Sequence, residues 1–177
     1  MNMKKTLIST LSAIAALTAF NASASDGTIT FNGEVINQTC EVNPAGSSDF
    51  TVDLPAVATS QLATAGTTAG ETPFTIDLAN CDLTKDGAYA FFEAGGTVDE
   101  NGRLINNGNA TNVALELVDV NNKVIKAGDA QQADSSSAAV IDANGNASLS
   151  YTARYYATGA ATAGTVTTSV TYSIAYL

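Results

Sequence analysis

The chain has 177 residues, and its 7 basic and 17 acidic residues give a formal net charge of −10. This length suits one domain, the acidic balance leaves no basic cluster for nucleic-acid phosphates, and the absence of histidine excludes Ser-His-Asp and Cys-His catalytic pairs and removes the commonest metal ligand. Charged residues make up only 14% of the chain, and the small residues that replace them favour a β protein with many turns over an α-helical enzyme.

The first segment of the chain is typical of an export signal. Lys4 and Lys5 precede a mostly apolar run, Leu7–Phe20, and Ala22–Ala24 supplies a cleavage site of small residues. The run is shorter than the roughly 20 residues that a membrane-spanning helix needs. We therefore predict a signal peptide at residues 1–24. The exported chain would then begin at Ser25 with 5 basic and 17 acidic residues, a net charge of −12.

The next segment is an alternating strand at the very start of the exported chain. Ile29, Phe31, Gly33 and Val35 fall on one face, with a glycine where the pattern expects a bulky side chain. Two interpretations fit equally well. The strand is either an ordinary edge strand with a bulge, or a strand inserted into another molecule, where a bare backbone permits close approach.

Two cysteines, Cys40 and Cys81, occur in the whole chain. In an exported protein an even pair indicates a disulfide. A redox pair or a metal site is disfavoured, because the cysteines lack C-x-x-C spacing and no histidine is present. We predict a structural disulfide that closes a loop of roughly 40 residues and removes about 4 kcal/mol of unfolded-state entropy.

Alternating apolar and polar residues recur along the rest of the chain, which is typical of half-buried antiparallel strands. Asn-Gly pairs and prolines separate these runs, and the segment Val57–Thr68 could hold a short helical turn. The composition and pattern predict an all-β protein of six to eight strands, a β-sandwich of immunoglobulin type. The apolar faces are Phe50, Val52 and Leu54; Phe74, Ile76 and Leu78; Val113, Leu115 and Leu117; Ala147, Leu149, Tyr151, Ala153 and Tyr155; and Val166, Val170, Tyr172, Ile174 and Tyr176.

No group of residues in the sequence indicates catalysis. The carboxylates are scattered through turns and polar strand faces, so solvated surface charge is favoured over a glycosidase pair. The segment Asp142–Asn146 resembles half of a calcium loop but lacks the glycine at the sixth position and the distal glutamate, so a hairpin turn explains it better. We predict no enzyme activity, no metal site and no cofactor.

Two segments resemble a known family. Asp26–Cys40, an alternating extension that leads to the first cysteine, is similar to the start of pilins of the bacterial chaperone–usher pathway. Cys81 falls where the second cysteine of that family does, and Tyr155–Gly164 resembles its C-terminal block. Gly164, fourteenth from the end, and the penultimate Tyr176 match its C-terminal signature. The closest resemblance is to major subunits of type 1-like fimbriae, in particular the group of the uroepithelial cell adhesin fimbria.

The resemblance implies a fold and a mechanism. The fold would be an incomplete immunoglobulin-like β-sandwich with one disulfide, completed by a donated strand. Residues 25–36 would form the donor-strand extension and residues 37–177 the pilin domain. The donor residues would be Ile29, Phe31, Gly33 and Val35, and the acceptor and chaperone-facing C-terminal strand would contain Gly164, Val166, Val170, Tyr172, Ile174, Tyr176 and Leu177, whose carboxylate the chaperone would hold.

The same resemblance implies partners and a location. These partners are identical subunits in a homopolymer, a periplasmic chaperone, an outer-membrane usher and other fimbrial subunits including a tip adhesin. The chain would pass through the periplasm to the cell surface and form the shaft of a fimbria that supports adhesion. Two alternatives stay open: a minor fimbrial adaptor subunit, and a secreted β-sandwich carbohydrate-binding module.

Overall fold

The computed structural model describes residues 30–31, 40–132 and 138–177. The chain forms two compact units, Met1–Val35 and Ile36–Leu177. No helix in the described ranges has both the length and the apolar character that a membrane crossing requires.

Most of the predicted N-terminal features lie outside the described residues. These are the signal peptide, residues 1–24, and three of the four predicted donor residues, Ile29, Gly33 and Val35. The two described residues of the first unit, Thr30 and Phe31, are exposed, and Phe31 is 88% accessible to solvent.

The regular secondary structure in the described part of the second unit is almost entirely β-strand, as its alternating sequence predicts. It includes a short 3-10 turn at Thr59–Leu62, inside the segment for which a helical turn was predicted. The strands are β1 Glu41–Val42, β2 Thr68–Ala79, β3 Gly87–Phe92, β4 Leu104–Ile105, β5 Val113–Asp119, β6 Val124–Ile125, β7 Ala139–Val140, β8 Ala147–Ala157 and β9 Tyr172–Tyr176.

The strands form two antiparallel sheets. The larger sheet has the order β1-β2-β8-β5-β4, and β6 pairs with the other half of β5. Its centre is the long β2–β8 pair, in which Ile76 lies opposite Leu149, and β5, in which Leu117 lies opposite Ala153. Because side chains alternate between the two faces of a strand, these residues all point to the same side. They form the larger sheet's contribution to the core.

The smaller sheet has the order β7-β3-β9. β7 pairs only with the first two residues of β3. Further along the same edge, side chains form hydrogen bonds with the main chain of β3. The Ala90 N–H donates to the Tyr151 hydroxyl at 2.8 Å, and the Gln132 carboxamide bonds both the N–H and the carbonyl of Phe92. Tyr151 belongs to β8, so its hydroxyl joins the two sheets through the core.

The core between the sheets is the larger of two apolar clusters in the described residues. Ile76 and Leu149 from the larger sheet are 0% and 1% exposed, and Phe92 from the smaller sheet is 2% exposed. The cluster includes the predicted disulfide, since Cys40 and Cys81 are joined in the structure. That prediction is therefore confirmed.

The upper end of the sandwich, as we name it, consists of the segments 62–66, 106–112 and 158–165. Main-chain hydrogen bonds join these segments: the Ala161 N–H donates to the Leu62 carbonyl at 3.0 Å, and the Ala110 N–H to the Thr165 carbonyl at 3.0 Å. A glycine is required here, because a Cβ on Gly164 would lie 2.4 Å from the Ala110 nitrogen.

The lower end lies at the opposite end of the long β2–β8 pair, roughly 35 Å away at the usual rise of a strand. It consists of the segments 40–43, 80–87 and 141–146. The disulfide ties the first segment to the second, and the Cys81 N–H donates to the Gly145 carbonyl at 3.0 Å, which ties the second to the third. The chain therefore enters the described part of its domain, at Cys40, from the lower end.

Three turns in the structure share one five-residue pattern, Asp-x-Asn-Gly/Asn-x. They begin at Asp99, Asp119 and Asp142, and in each the aspartate carboxylate accepts the N–H groups two and four residues on. These backbone hydrogen bonds favour the ionised carboxylate and lower the pKa of Asp142 below its ordinary value. The turn expected at Asp142–Asn146 is thus present, closed by the Asp142 N–H, which donates to the Asn146 carbonyl at 2.8 Å. It joins β7 of the smaller sheet to β8 of the larger sheet, so it does not connect two paired strands.

Candidate binding groove

An open groove with a volume of about 1020 Å³ lies between two extended segments of the second unit. The first wall, residues 48–54, forms one side, and the second wall, residues 168–176, forms the other. The floor is apolar and includes Phe74, Ile76, Phe92, Leu104, Leu115, Leu117 and Ala153. Both sheets contribute to this floor, so the groove opens directly onto the hydrophobic core.

The first wall has a free main-chain edge. Its alternating pattern places Phe50, Val52 and Leu54 at the groove. Across the described ranges, residues 50–57 belong to no strand and make no main-chain to main-chain hydrogen bond. Extended backbone of this kind is a template for pairing with another strand.

Among the described residues, the second wall is paired along one edge only. In its later half, β9 pairs with β3, with Ile174 opposite Ala90. Before β9 begins, the Thr167 carbonyl accepts a hydrogen bond from the Asn107 N–H at 2.8 Å, and the Thr171 carbonyl accepts one from the Glu93 N–H at 2.9 Å. Val170, Tyr172, Ile174 and Tyr176 line the groove. The other edge of this wall faces the first wall, so two free edges flank one apolar floor.

A chain of aromatic rings connects the core to both walls. Phe92 and Tyr151 meet edge to face with centroids 5.2 Å apart, and Tyr151 and Phe74 are 5.7 Å apart. Phe50 of the first wall lies 6.2 Å from Phe74 and 6.4 Å from Tyr172 of the second wall. Aromatic pairs at such distances attract one another, so the rings fix the position of the first wall, which has no strand pairing.

The Tyr172 hydroxyl crosses the groove and donates a 2.7 Å hydrogen bond to the Ser48 carbonyl. Burial of the ring, together with the nearby carboxylate of Asp49, raises the pKa of Tyr172 above its ordinary value. The hydroxyl therefore remains a neutral donor at physiological pH, and this hydrogen bond closes one part of the groove.

Two hydroxyl groups in the second wall are buried without a hydrogen-bond partner among the described residues. They are Thr168 Oγ1 and the Tyr176 hydroxyl oxygen. Both residues line the groove. Buried polar groups are normally paired, so this wall retains hydrogen-bonding capacity that the described residues do not use.

The structure brings together only some of the residues that the sequence assigned to the acceptor strand. Val170, Tyr172, Ile174 and Tyr176 lie side by side in the groove. Val166 packs at the upper end, where Gly164 also lies, against residues 109–110. Leu177 is 60% exposed beyond the lower end of the groove.

Sequence reasoning missed the first wall as part of the site. The alternation of Phe50, Val52 and Leu54 was visible, but it predicted an ordinary strand. Ser48 could not be identified from side-chain alternation, because it contacts the second wall through its main-chain carbonyl. Phe92 was missed because the segment Gly87–Phe92 does not alternate clearly between apolar and polar residues.

The groove is suited to binding an extended peptide. In the described ranges, no group of three or more Cys, Asp or Glu side chains is placed to hold a metal ion. An extended segment laid in the groove could form main-chain hydrogen bonds with both free edges and direct alternate side chains onto the apolar floor.

Comparison with known proteins gives consistent matches. Residues 29–176 match a family described as fimbrial protein. The chain is 50% identical over 162 residues to the major fimbrial subunit SMF-1 of Stenotrophomonas maltophilia (strain K279a), covering 88% of this chain and 95% of the relative. It is 41% identical over 174 residues to the F17 fimbrial protein of Escherichia coli, covering 94% and 96%.

The fold is also similar to a solved structure. A chain in the structure of a chaperone–usher pilus matches with a TM-score of 0.62 and 23% sequence identity, covering 86% of this chain and 96% of that chain. At this identity the similarity shows the fold alone. The predicted fold class, an all-β, immunoglobulin-like sandwich with one disulfide, is confirmed.

Proposed function

Because this chain belongs to the fimbrial protein family, whose members are structural subunits and not enzymes, we propose that it is the repeating shaft subunit of a bacterial surface fimbria. The 50% identity with a major fimbrial subunit supports this function, as well as export to the cell surface. The resemblance to major subunits of type 1-like fimbriae, inferred from the N-terminal and C-terminal segments, agrees with it.

One observation carries the mechanism that we propose: two free main-chain edges flank an open apolar groove. Each subunit accepts an extended strand from its neighbour in this groove, and the sheet continues from the second wall through the inserted strand to the first wall. The first wall then becomes the outer edge of the sheet. Asp53 and Pro55 in and beside this edge discourage pairing with further chains.

The donated strand is the N-terminal extension, residues 25–36, of the next subunit. Its alternating face, Ile29, Phe31 and Val35, supplies apolar side chains for the floor, and Gly33 lets the two backbones approach closely. Phe31 is 88% exposed, so burying its ring in a neighbour's groove gains hydrophobic free energy.

The direction of the donated strand follows from the positions of the chain's own ends. Each subunit's extension leads into Cys40 at the lower end. If the extension enters a neighbour's groove at the upper end, each lower end contacts the upper end of the next subunit, and all subunits point in the same direction. If the extension entered at the lower end, the lower ends of the two subunits would meet. The donated strand therefore runs antiparallel to β9, with Val35 near Val166 and Ile29 toward Tyr176.

The unfilled groove also accounts for the assembly partners. Phe50 is 43% exposed at the groove, and exposed apolar surface beside free strand edges promotes aggregation. A periplasmic chaperone covers the groove with a strand of its own until the usher adds the subunit to the fibre. Other fimbrial subunits, including a tip adhesin, join the same fibre.

A single-chain variant tests this function. A copy of Asp26–Asn37 is fused after Leu177 through a short flexible linker. An antiparallel strand would start at the lower end, where Leu177 donates to the Gly87 carbonyl, so a short linker suffices. The fused chain should be a soluble monomer whose Tm is higher by roughly 10 °C or more, since the strand is present at high effective concentration.

The matched control carries Gly33→Leu in the copied segment, which places a bulky side chain where bare backbone is expected. This control should recover little of the gain in Tm. If the unfused chain is already a monomer and melts at the same temperature as the fused chain, the sandwich is complete without a donated strand and the proposed mechanism is wrong.

A further inference from the structure

The upper end of the sandwich is free of charge. Its three segments, 62–66, 106–112 and 158–165, contain none of the 24 charged residues of the chain. They consist almost entirely of Ala, Thr, Asn and Gly. Within them Asn107 and Asn109 are exposed and present carboxamides, which can donate hydrogen bonds to carboxylates.

The lower end, in contrast, is acidic. Its three segments contain four carboxylate side chains and one lysine. Asp82 and Asp142 lie in exposed turns, and hydrogen bonds from neighbouring main-chain N–H groups lower the pKa of both carboxyls, which favours their ionised form. The charged side chains are Glu41, Asp82, Lys85, Asp86 and Asp142.

This difference matters for a polymer of identical acidic subunits. Bringing two acidic surfaces together costs free energy, because like charges repel and the repulsion acts over about 10 Å at ordinary salt concentrations. When subunits stack in one direction, each contact instead joins an acidic lower end to an uncharged upper end. The upper end is also where the neighbour's extension would enter the groove.

We propose that the uncharged upper end is a second subunit–subunit interface, a docking surface for the acidic lower end of the next copy of this chain. The inference rests on the proposed function, since it uses the direction of the donated strand. The donated strand holds the subunits together, and the upper end lets two acidic bodies, each of net charge −12 from Ser25 onward, approach without opposing carboxylates. Its amide groups hydrogen-bond to the incoming carboxylates.

A charge placed on the upper end tests the proposal. Ala163 is exposed there and no side-chain interaction depends on it. Ala163→Asp adds one negative charge, and Ala163→Asn is the matched neutral control of nearly the same shape. Fibre growth of each purified full-length chain is followed by light scattering at low and at high salt. Ala65→Asp, at a second exposed position, guards against a local folding effect.

At low salt Ala163→Asp should slow fibre growth roughly tenfold relative to Ala163→Asn, because charges at an interface act mainly on the association rate. High salt should restore the rate. Binding of a free fluorescent peptide of residues 25–36 to the same chains should not change, since the peptide carries no lower end. Equal growth of the Asp and Asn variants at low salt would overturn the docking surface. Failure of wild-type chain to bind the peptide would instead contradict the proposed function.

Discussion

The centre of the larger sheet and the second wall of the groove have the same kind of sequence and different surroundings. β8, Ala147–Ala157, alternates apolar and polar residues and is paired on both edges, with β2 and β5. Residues 166–176 alternate as regularly, but within the described part of the chain only one of their edges is paired. Alternation therefore reports that one face of a strand is buried, and it does not report whether both edges have partners.

The largest difference between the two strands is expected when one apolar side chain in each is truncated to alanine and the loss of unfolding free energy is compared. Leu149 in β8 is 1% exposed, so Leu149→Ala should lower the free energy of unfolding by about 4 kcal/mol. Ile174 lines the groove and is only partly buried, so Ile174→Ala should cost less than half as much in the unfused chain. Urea titration of both variants gives the two values.

The fused single-chain variant sharpens the same comparison. Once a strand fills the groove, the cost of Ile174→Ala should rise toward that of Leu149→Ala, because its side chain is then enclosed. The cost of Leu149→Ala should stay the same in both backgrounds. An Ile174→Ala cost that does not depend on the fused strand would show that the groove residues are not buried by it.

Removing the disulfide should have the next largest effect. Cys40 and Cys81 join the lower end, 41 residues apart in sequence. The double variant Cys40→Ser, Cys81→Ser should lose about 3 kcal/mol of stability, since cross-linking a loop restricts the unfolded chain. Chemical denaturation measures the loss. Two reactive thiols in native wild-type protein would contradict the bond itself.

The regular strands of the larger sheet could be predicted from the sequence, and the smaller sheet largely could not. β2 and β8 alternate because each buries one face. β5 alternates in sequence but is buried on both faces. All three lie where the alternation placed them. β3 was missed, since Ala88, Ala90 and Phe92 pack inward while two aromatic residues, Tyr89 and Phe91, point outward. Strands of two residues, such as β1 and β7, are too short to show a period.

The candidate site could be predicted in part for a related reason. The inward face of the second wall is a periodic stripe, so the sequence already placed Val170, Tyr172 and Ile174 on one face of a strand, and they line the groove together. Residues 50–54 were predicted as a strand and lie extended without strand pairing. In the mechanism that we propose, pairing there depends on a segment from a neighbouring subunit, and no pattern within residues 50–54 encodes that.

Tyr151 also tests the comparison between the paired centre of the larger sheet and the groove. Its hydroxyl connects the two sheets, and its ring packs against Phe74 in the groove floor. Tyr151→Phe removes the acceptor of the 2.8 Å hydrogen bond from the buried Ala90 N–H and keeps the ring contacts with Phe74 and Phe92. Leaving that N–H unpaired should cost about 2 kcal/mol. Thermal unfolding should show the same loss in the fused and unfused chains. A loss below about 0.5 kcal/mol would mean that the hydrogen bond contributes little.

The smallest effect is expected in a hairpin turn that lies apart from both walls. The fourth position of the three matching turns has positive φ, 77° at Gly102, 76° at Gly145 and 59° at Asn122. Glycine adopts this conformation without a steric cost, but it also gains freedom in the unfolded chain. Asn122→Gly should therefore raise stability by only about 0.5 kcal/mol.

The reverse change, Gly145→Asn, should cost more than that, because a Cβ there would lie 3.1 Å from the Cys81 carbonyl oxygen. Thermal melts of both variants, fused and unfused, measure these changes, and since neither turn lines the groove, filling it should alter neither value. A change that depended on the fused strand would mean that strand insertion reorganises the whole sandwich rather than its open edge.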